Sequence, residues 1–245
     1  MIVIRVRRTA AAATRVAAGL VAGALRDDPR LVLGLPTGRT VVGFYAALVQ
    51  LHRRGRADFR RATGFNLDEF YGLGPDAKQS FRAFLQRHFY DHVNLPSSRA
   101  HALSGNPASW RREAARFDRR MRAAGGLGLC VLGIGRNGHV AFNEPARRLR
   151  GPTHLERLTP MTRRDNAAAF GGRWQDVPAR ALTVGLDAIL GARQVLLVAT
   201  GRSKAGIIHR AFCGPVTGRV PASMLQRHAS VTVVLDRAAA ARLGR

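Results

Sequence analysis

The sequence predicts an α/β protein with a Rossmann-like, mostly parallel central sheet and helices on both faces. Three observations carry that expectation. Short apolar, β-rich runs alternate with amphipathic helical patterns. One run, Leu127 to Ile134, is continuously apolar and glycine-punctuated, as a strand buried on both faces requires. Several runs end in turns rich in glycine, threonine and asparagine. With 245 residues, 46% of them hydrophobic, the chain can bury one large core, and a single domain over residues 1–245 is expected.

Ile2 to Val6 alternates like a strand, and Ala10 to Leu25 makes a helix that stops at Asp27-Asp28-Pro29. Arg7-Arg8 ahead of the alanine-rich run resembles a twin-arginine signal, but Arg15 interrupts that run, so strand then helix is preferred. Leu31 to Leu35 reads as a strand, Pro36 to Thr40 as a tight loop, and Val41 to Leu51 as a helix with Val41, Tyr45 and Leu48 on one face. A further strand ends at Phe65-Asn66-Leu67-Asp68-Glu69, and the Leu127 run opens into Gly135-Arg136-Asn137-Gly138-His139. The stretch from Ala146 to Thr162 is polar, proline-containing and irregular, and a lid is expected around 146–175. Gln194 to Ala199 turns through Thr200-Gly201-Arg202-Ser203 into a helix beginning near Lys204, and Val231 to Leu235 adds a final strand. Ligands of open parallel sheets bind outside the carboxyl ends of the strands, so these loops are expected to converge on one crevice.

The formal charge of +25, from 40 basic and 15 acidic residues, suits an anionic partner: nucleic acid, lipid surface or phosphorylated metabolite. The basic residues are spread along the chain, and all but Lys78 and Lys204 are arginine. With only 7% aromatic residues, a surface interleaving bases of charge with stacking rings is not supported, and no specific nucleic-acid partner is expected. No stretch is apolar and long enough to span a membrane. Cys130 and Cys213 lie in apolar stretches without metal-ligand spacing and read as reduced, buried residues of a cytoplasmic protein.

Four segments could carry chemistry. Thr37-Gly38-Arg39-Thr40 is either a plain N-cap turn or a phosphate cradle of backbone N–H groups and hydroxyls; it lacks the Gly-Lys-Ser/Thr ending of a Walker loop. Asp68 and Glu69 follow an uncharged run, as a helix cap and ion pair or with one serving as a general base. His139 and Glu144 have the spacing of a base and the carboxylate that orients it, or His139 is a satisfied loop histidine. Lys204 would reach the same crevice from the start of its helix, whereas chemistry alone does not single out Arg163 among so many arginines.

Taken together, Leu33-Gly34-Leu35-Pro36-Thr37-Gly38-Arg39-Thr40, Phe65-Asn66-Leu67-Asp68-Glu69-Phe70, Ser80-Phe81 through His92-Val93-Asn94, Gly133-Ile134-Gly135-Arg136-Asn137-Gly138-His139 continuing Val140-Ala141-Phe142-Asn143-Glu144-Pro145, Ala181-Leu182-Thr183-Val184-Gly185 and Pro221-Ala222-Ser223 resemble the glucosamine-6-phosphate deaminase family over nearly the whole chain. That family is related to the 6-phosphogluconolactonases, which lack the Phe-Asn-Glu-Pro continuation. The resemblance implies that glucosamine 6-phosphate is isomerised and deaminated to fructose 6-phosphate and ammonia. His139, polarised by Glu144, would open the pyranose ring, and Asp68 would move a proton from C2 to C1. The phosphate would lie on Thr37, Gly38, Arg39 and Thr40, with Arg163 and Lys204. No metal and no organic cofactor is required by this route.

Three departures stand out. Asn137 replaces the aspartate of the best-known pattern and is expected to orient His139 without adding charge. Arg39 replaces a serine. His154 and Glu156 fall where an allosteric activator site would have basic residues, so no such activation is expected. The implied partner is a small sugar phosphate, with the choice between monomer and homo-oligomer open. The competing readings are a 6-phosphogluconolactonase and a non-catalytic sugar-phosphate sensor.

Overall fold

The computed structural model describes residues 1–74 and 76–244. In chain order its elements are β1 (Ile2–Arg7), α1 (Ala10–Asp27), β2 (Val32–Leu35), α2 (Arg39–Arg53), β3 (Thr63–Asn66), β4 (Asp68–Phe70), α3 (Phe81–His88), β5 (Ala100–His101), α4 (Trp110–Ala123), β6 (Leu129–Leu132), β7 (His154–Arg157), α5 (Pro160–Asn166), β8 (Arg180–Thr183), α6 (Leu186–Leu190), β9 (Gln194–Ala199), α7 (Ala205–Phe212) and β10 (Val231–Asp236). Seven strands form one sheet in the order β1-β10-β9-β6-β2-β3-β5, and every pairing in it is parallel. Among the described residues no helix is long and apolar enough to cross a membrane.

Both faces of the sheet are buried, which explains why its central strands are apolar throughout rather than alternating. Along β6, Cys130 and Leu132 enter one core with Val195, Leu197, Val233 and Leu235, while Leu129 and Val131 enter the other with Leu33, Leu35, Phe44 and Tyr45. Helix α1 starts where the Thr9 side chain accepts from the Ala12 N–H at 3.2 Å. Its small buried residues Ala13, Ala17 and Ala18 let it lie close to α2. Burial pushes the Cys130 thiol up to about 12. Cys213 departs from expectation: α7 ends at Phe212, so Cys213 falls at the cap, off the buried face, and is exposed.

A second sheet, antiparallel and in the order β4-β8-β7, was not anticipated. The run ending at Glu69 is not one strand. Leu67 ends the pairing with β2 through its N–H to the Leu35 carbonyl (3.3 Å), and its own carbonyl accepts from Val184 (2.8 Å). From Asp68 onward the backbone pairs with β8, Asp68 opposite Thr183. The stretch read as irregular supplies the other edge: His154 to Arg157 pairs with β8, and Pro160 then starts α5 from the Thr159 cap. Beneath this small sheet Phe70, Phe81 and Phe142 form a third apolar cluster, with Phe81 stacked on Phe142 at 5.4 Å. Changing sheets at Leu67 is what carries Asp68 beyond the end of the parallel strands and into a crevice.

Candidate active site

The loops after β2, β3 and β6, the second half of α5 and the turn before α7 meet around a cleft of about 500 Å³. Gly38, Arg39, Thr40, Asp68, His139 and Lys204 all line it, as do Lys78, Arg87 and Asp165.

The floor of the anion end is local. β2 is followed by Gly38 at φ 114, a conformation that favours glycine. No side chain caps α2 there; the Val41 N–H reaches back to the Gly38 carbonyl (3.2 Å), and the N–H groups of Arg39 and Thr40 remain for a ligand. Helix α2 begins at Arg39, two residues earlier than expected, which places Arg39 and Thr40 inside the first turn. Tyr45, fully buried, holds the loop from below by donating to the Pro36 carbonyl at 2.6 Å. Lys204 follows a turn at Gly201, whose φ is 91 and whose N–H is taken by Asp236 at 3.0 Å. Its ammonium donates to the Ile134 carbonyl at 2.7 Å. Burial lowers the Lys204 pKa, the cations Arg136 and Arg39 lower it further, and Asp165 opposes them.

The two neighbouring carboxylates separate by strand alternation. Glu69 turns toward α3 and accepts from the N–H groups of Phe81 (2.9 Å) and Arg82 (3.0 Å), so it caps that helix. Asp68 turns into the cleft, 6% exposed, and its Oδ1 has no hydrogen-bond partner among the described residues. Burial pushes its pKa well above the usual carboxylate range, with Glu69 adding to the effect. A poorly solvated carboxylate with an uncommitted oxygen is a competent base for a C–H proton.

His139 depends on glycine. A Cβ on Gly135 would overlap its ring, and Gly138, at φ 95, closes the turn by donating to the Gly135 carbonyl at 3.0 Å. Burial lowers the His139 pKa, Glu144 opposes this, Lys204 reinforces it and Asp165 opposes it. The balance favours the neutral, basic form of the ring.

Here the geometry shows by which atoms Glu144 and Asn137 act on His139. Glu144 does not hydrogen-bond the imidazole: Nδ1 to Oε2 is 3.9 Å. Asn137 does not touch the ring either. Its Oδ1 accepts from the backbone N–H of His139 (3.2 Å), and its Nδ2 donates to Glu144 Oε2 (2.6 Å), so it orients the carboxylate. What stands beside Nδ1 is the hydroxyl of Thr162, at 3.2 Å.

Arg163 is not brought to the cleft. Its guanidinium donates to the carbonyls of Val177 (2.9 Å) and Gln175 (2.8 Å) and lies 4.9 Å from the centre of the Trp174 ring. One residue of helix turns it away, while Asp165 and Asn166 face inward. Asp165 pairs with Arg136 beyond the rim. Sequence reasoning missed Asp165, Arg87 and Lys78. Only Lys78 left a signal: of 40 basic residues two are lysines, and both line this cleft. Among the described residues no cluster of three or more His, Cys, Asp or Glu side chains could hold a metal ion.

Fold and site together define an open α/β protein in which a buried carboxylate, an imidazole and several cationic side chains face one cleft at the carboxyl ends of the parallel strands. The chain belongs to the glucosamine-6-phosphate isomerases/6-phosphogluconolactonase family, whose model matches residues 6–234. It is 42% identical over 227 residues to a glucosamine-6-phosphate deaminase of Halothermothrix orenii, covering 93% of this chain and 94% of that one. It is 39% identical over 241 residues to the deaminase of Alkaliphilus oremlandii, covering 98% and 100%. A solved monomeric glucosamine-6-phosphate deaminase superposes with a TM-score of 0.94 at 34% identity, covering 98% of this chain and 99% of that one. A 6-phosphogluconolactonase of Thermotoga maritima shares the fold at a TM-score of 0.76 and 18% identity, covering 96% and 99%.

Proposed function

We propose that this protein is an enzyme that converts glucosamine 6-phosphate and water to fructose 6-phosphate and ammonia. The observation that carries the reading is the pairing, in one cleft, of a buried carboxylate with a free oxygen, Asp68, and a neutral imidazole, His139, beside an uncapped helix N-terminus and Lys204. The names of the relatives at 42% and 39% identity support the same substrate.

In this reading the phosphate rests on the Thr37–Thr40 loop and Lys204, with Arg39 added to the anion's field and Arg163 left outside. His139 transfers the hydroxyl proton of C1 to the ring oxygen, which opens the pyranose. Asp68 then removes the C2 proton while the C1 carbonyl oxygen takes a proton from solvent, giving an enol-amine. Return of the proton from Asp68 to C1 converts this to an iminium at C2, and water adds there to expel ammonia and release the borrowed proton, leaving the ketone. Each step uses only proton transfers that these residues and solvent can perform, and the reading assigns no metal or organic cofactor to them.

The reading makes the protein a hydrolase of amino-sugar catabolism acting where phosphorylated sugars are retained, in the cytoplasm. The segment expected as a lid, 146–175, places Asp165, Asn166, Ala168 and Ala169 in the cleft wall, and this reading takes its part from Thr159 onward as a fixed wall. The test is ammonia release with coupled detection of fructose 6-phosphate from glucosamine 6-phosphate, beside galactosamine 6-phosphate and 6-phosphogluconolactone. Turnover of glucosamine 6-phosphate is expected. Hydrolysis of the lactone alone would overturn the reading.

A further inference from the structure

Three short contacts run in series from the imidazole into the protein. His139 Nδ1 lies 3.2 Å from Thr162 Oγ1, Thr162 Oγ1 lies 3.1 Å from Thr159 Oγ1, and Thr159 Oγ1 lies 3.3 Å from both oxygens of Glu144. Thr162 is fully buried and Glu144 is 3% exposed, while Thr159 between them is half-buried. Each contact needs one proton to be attractive. The two hydroxyls supply two. The carboxylate, which already accepts from the Thr159 N–H (3.1 Å) and the Asn137 amide (2.6 Å), supplies none. With both hydroxyls donating toward Glu144, the third proton sits on Nδ1; the Asn137 amide reaches the same two oxygens at 3.2 and 3.4 Å.

From this bookkeeping, and resting on the deaminase reading above, we propose that Thr162 and Thr159 are positioning residues that connect His139 to Glu144 and fix the imidazole as its Nδ1–H tautomer. His139 Nδ1–H donates to Thr162, Thr162 to Thr159, and Thr159 to Glu144. Nε2 makes no hydrogen bond among the described residues and is left as the basic nitrogen on a ring that lines the cleft. The opposite order, a Thr162 hydroxyl donated to Nδ1, leaves the 3.1 Å contact between the two threonine oxygens without a proton of its own, held only by the Asn137 amide at 3.2 and 3.4 Å. The relay also gives Asn137 its place. An amide whose oxygen takes the His139 N–H has only donors left for Glu144, so one side chain fixes both ends of the chain of hydroxyls.

The test has two arms. Nitrogen-15 imidazole spectra of the wild-type protein should show the proton on Nδ1 of His139 above its pKa; a proton on Nε2 would overturn the assignment without any variant. In the second arm Thr162→Val keeps the branched shape and removes the hydroxyl, and Thr162→Ser keeps the hydroxyl. A lost hydrogen bond to a group that becomes charged in the reaction predicts a fall in kcat of about 10- to 100-fold, with KM little changed. The relay favours the charged imidazole, so its loss should also move the acid limb of kcat/KM to lower pH. The charges facing that ring are Glu144, Lys204 and Asp165, the last held by Arg136, and the Val variant leaves all four in place. Thr162→Ser should restore most of the rate. A Val variant with unchanged kcat and limb, or a Ser variant as impaired as the Val one, overturns the relay. Absence of wild-type turnover on every sugar phosphate would instead overturn the functional reading and leave the tautomer assignment to the spectra.

Discussion

On one side of the cleft the β2–α2 wall offers a ligand its backbone, with a glycine at φ 114, an uncapped helix start and a buried tyrosine holding the turn. On the other side, between Asn137 and Thr162, the polar atoms of Asn137, Glu144, Thr159, Thr162 and the His139 ring are bound to one another in a side-chain network. Between them Asp68 has an oxygen with no hydrogen-bond partner among the described residues. The first wall is suited to holding an anion whose position tolerates small shifts, since several N–H groups share the charge. The second is suited to holding one proton at one atom, which requires every neighbour to be fixed. Binding and chemistry are thus separated in space, and substitutions on the two sides should separate KM from kcat.

The largest effect is expected at Asp68. Asp68→Asn keeps the shape and removes the base, so kcat should fall by at least about 10²–10⁴-fold, the range of general-base contributions, with phosphate binding retained. Stability should move the other way. The folded-state pKa of Asp68 is raised by burial, so the wild type is favoured below the unfolded carboxylate range and loses stability as pH rises through the folded value. The Asn variant lacks that slope. Its thermal midpoint should exceed that of the wild type at neutral pH, by about 0.5–2 kcal/mol in free energy, and the difference should vanish near pH 3. An inactive Asn variant with no such gain would mean that Asp68 is paired in solution.

A smaller effect, confined to binding, is expected at Lys204. Lys204→Ala should raise KM about 10-fold or more for loss of one charge-assisted contact and leave kcat within a few-fold. Because its pKa is lowered, wild-type KM should begin to rise with pH below the ordinary lysine range. A fall in kcat matching the rise in KM would erase the division between the two walls.

The same division explains what the sequence made legible. The parallel sheet, α1, α2 and the anion loop rest on local patterns: apolar runs, a glycine turn and a helix start lie within a few residues of each other. Asp68 was visible because a carboxylate after an uncharged run needs a reason. The relay was not, because Asn137, Glu144, Thr159 and Thr162 meet across 25 residues, and two threonines at a helix start look like an ordinary cap, which Thr159 also is. The second sheet was hidden for the same reason. β4 and β7 have three and four residues, too short for a period, and both exist because β8 lies between them.

The smallest kinetic effect is expected at Arg163, where the resemblance implies a phosphate contact and the geometry places a structural one. Its guanidinium satisfies two carbonyls, one of them on the buried Val177, and packs on Trp174. Arg163→Ala should therefore destabilise the fold by about 1–2 kcal/mol for the lost hydrogen bonds and ring contact, read as a lower denaturant midpoint, while KM stays within about twofold of wild type. Comparison with Lys204→Ala makes the result decisive. Equal KM increases in the two variants would mean that Arg163 leaves Val177 and Gln175 for the phosphate when substrate enters. The wall from 160 to 175 would then be the moving part of the cleft rather than its fixed side.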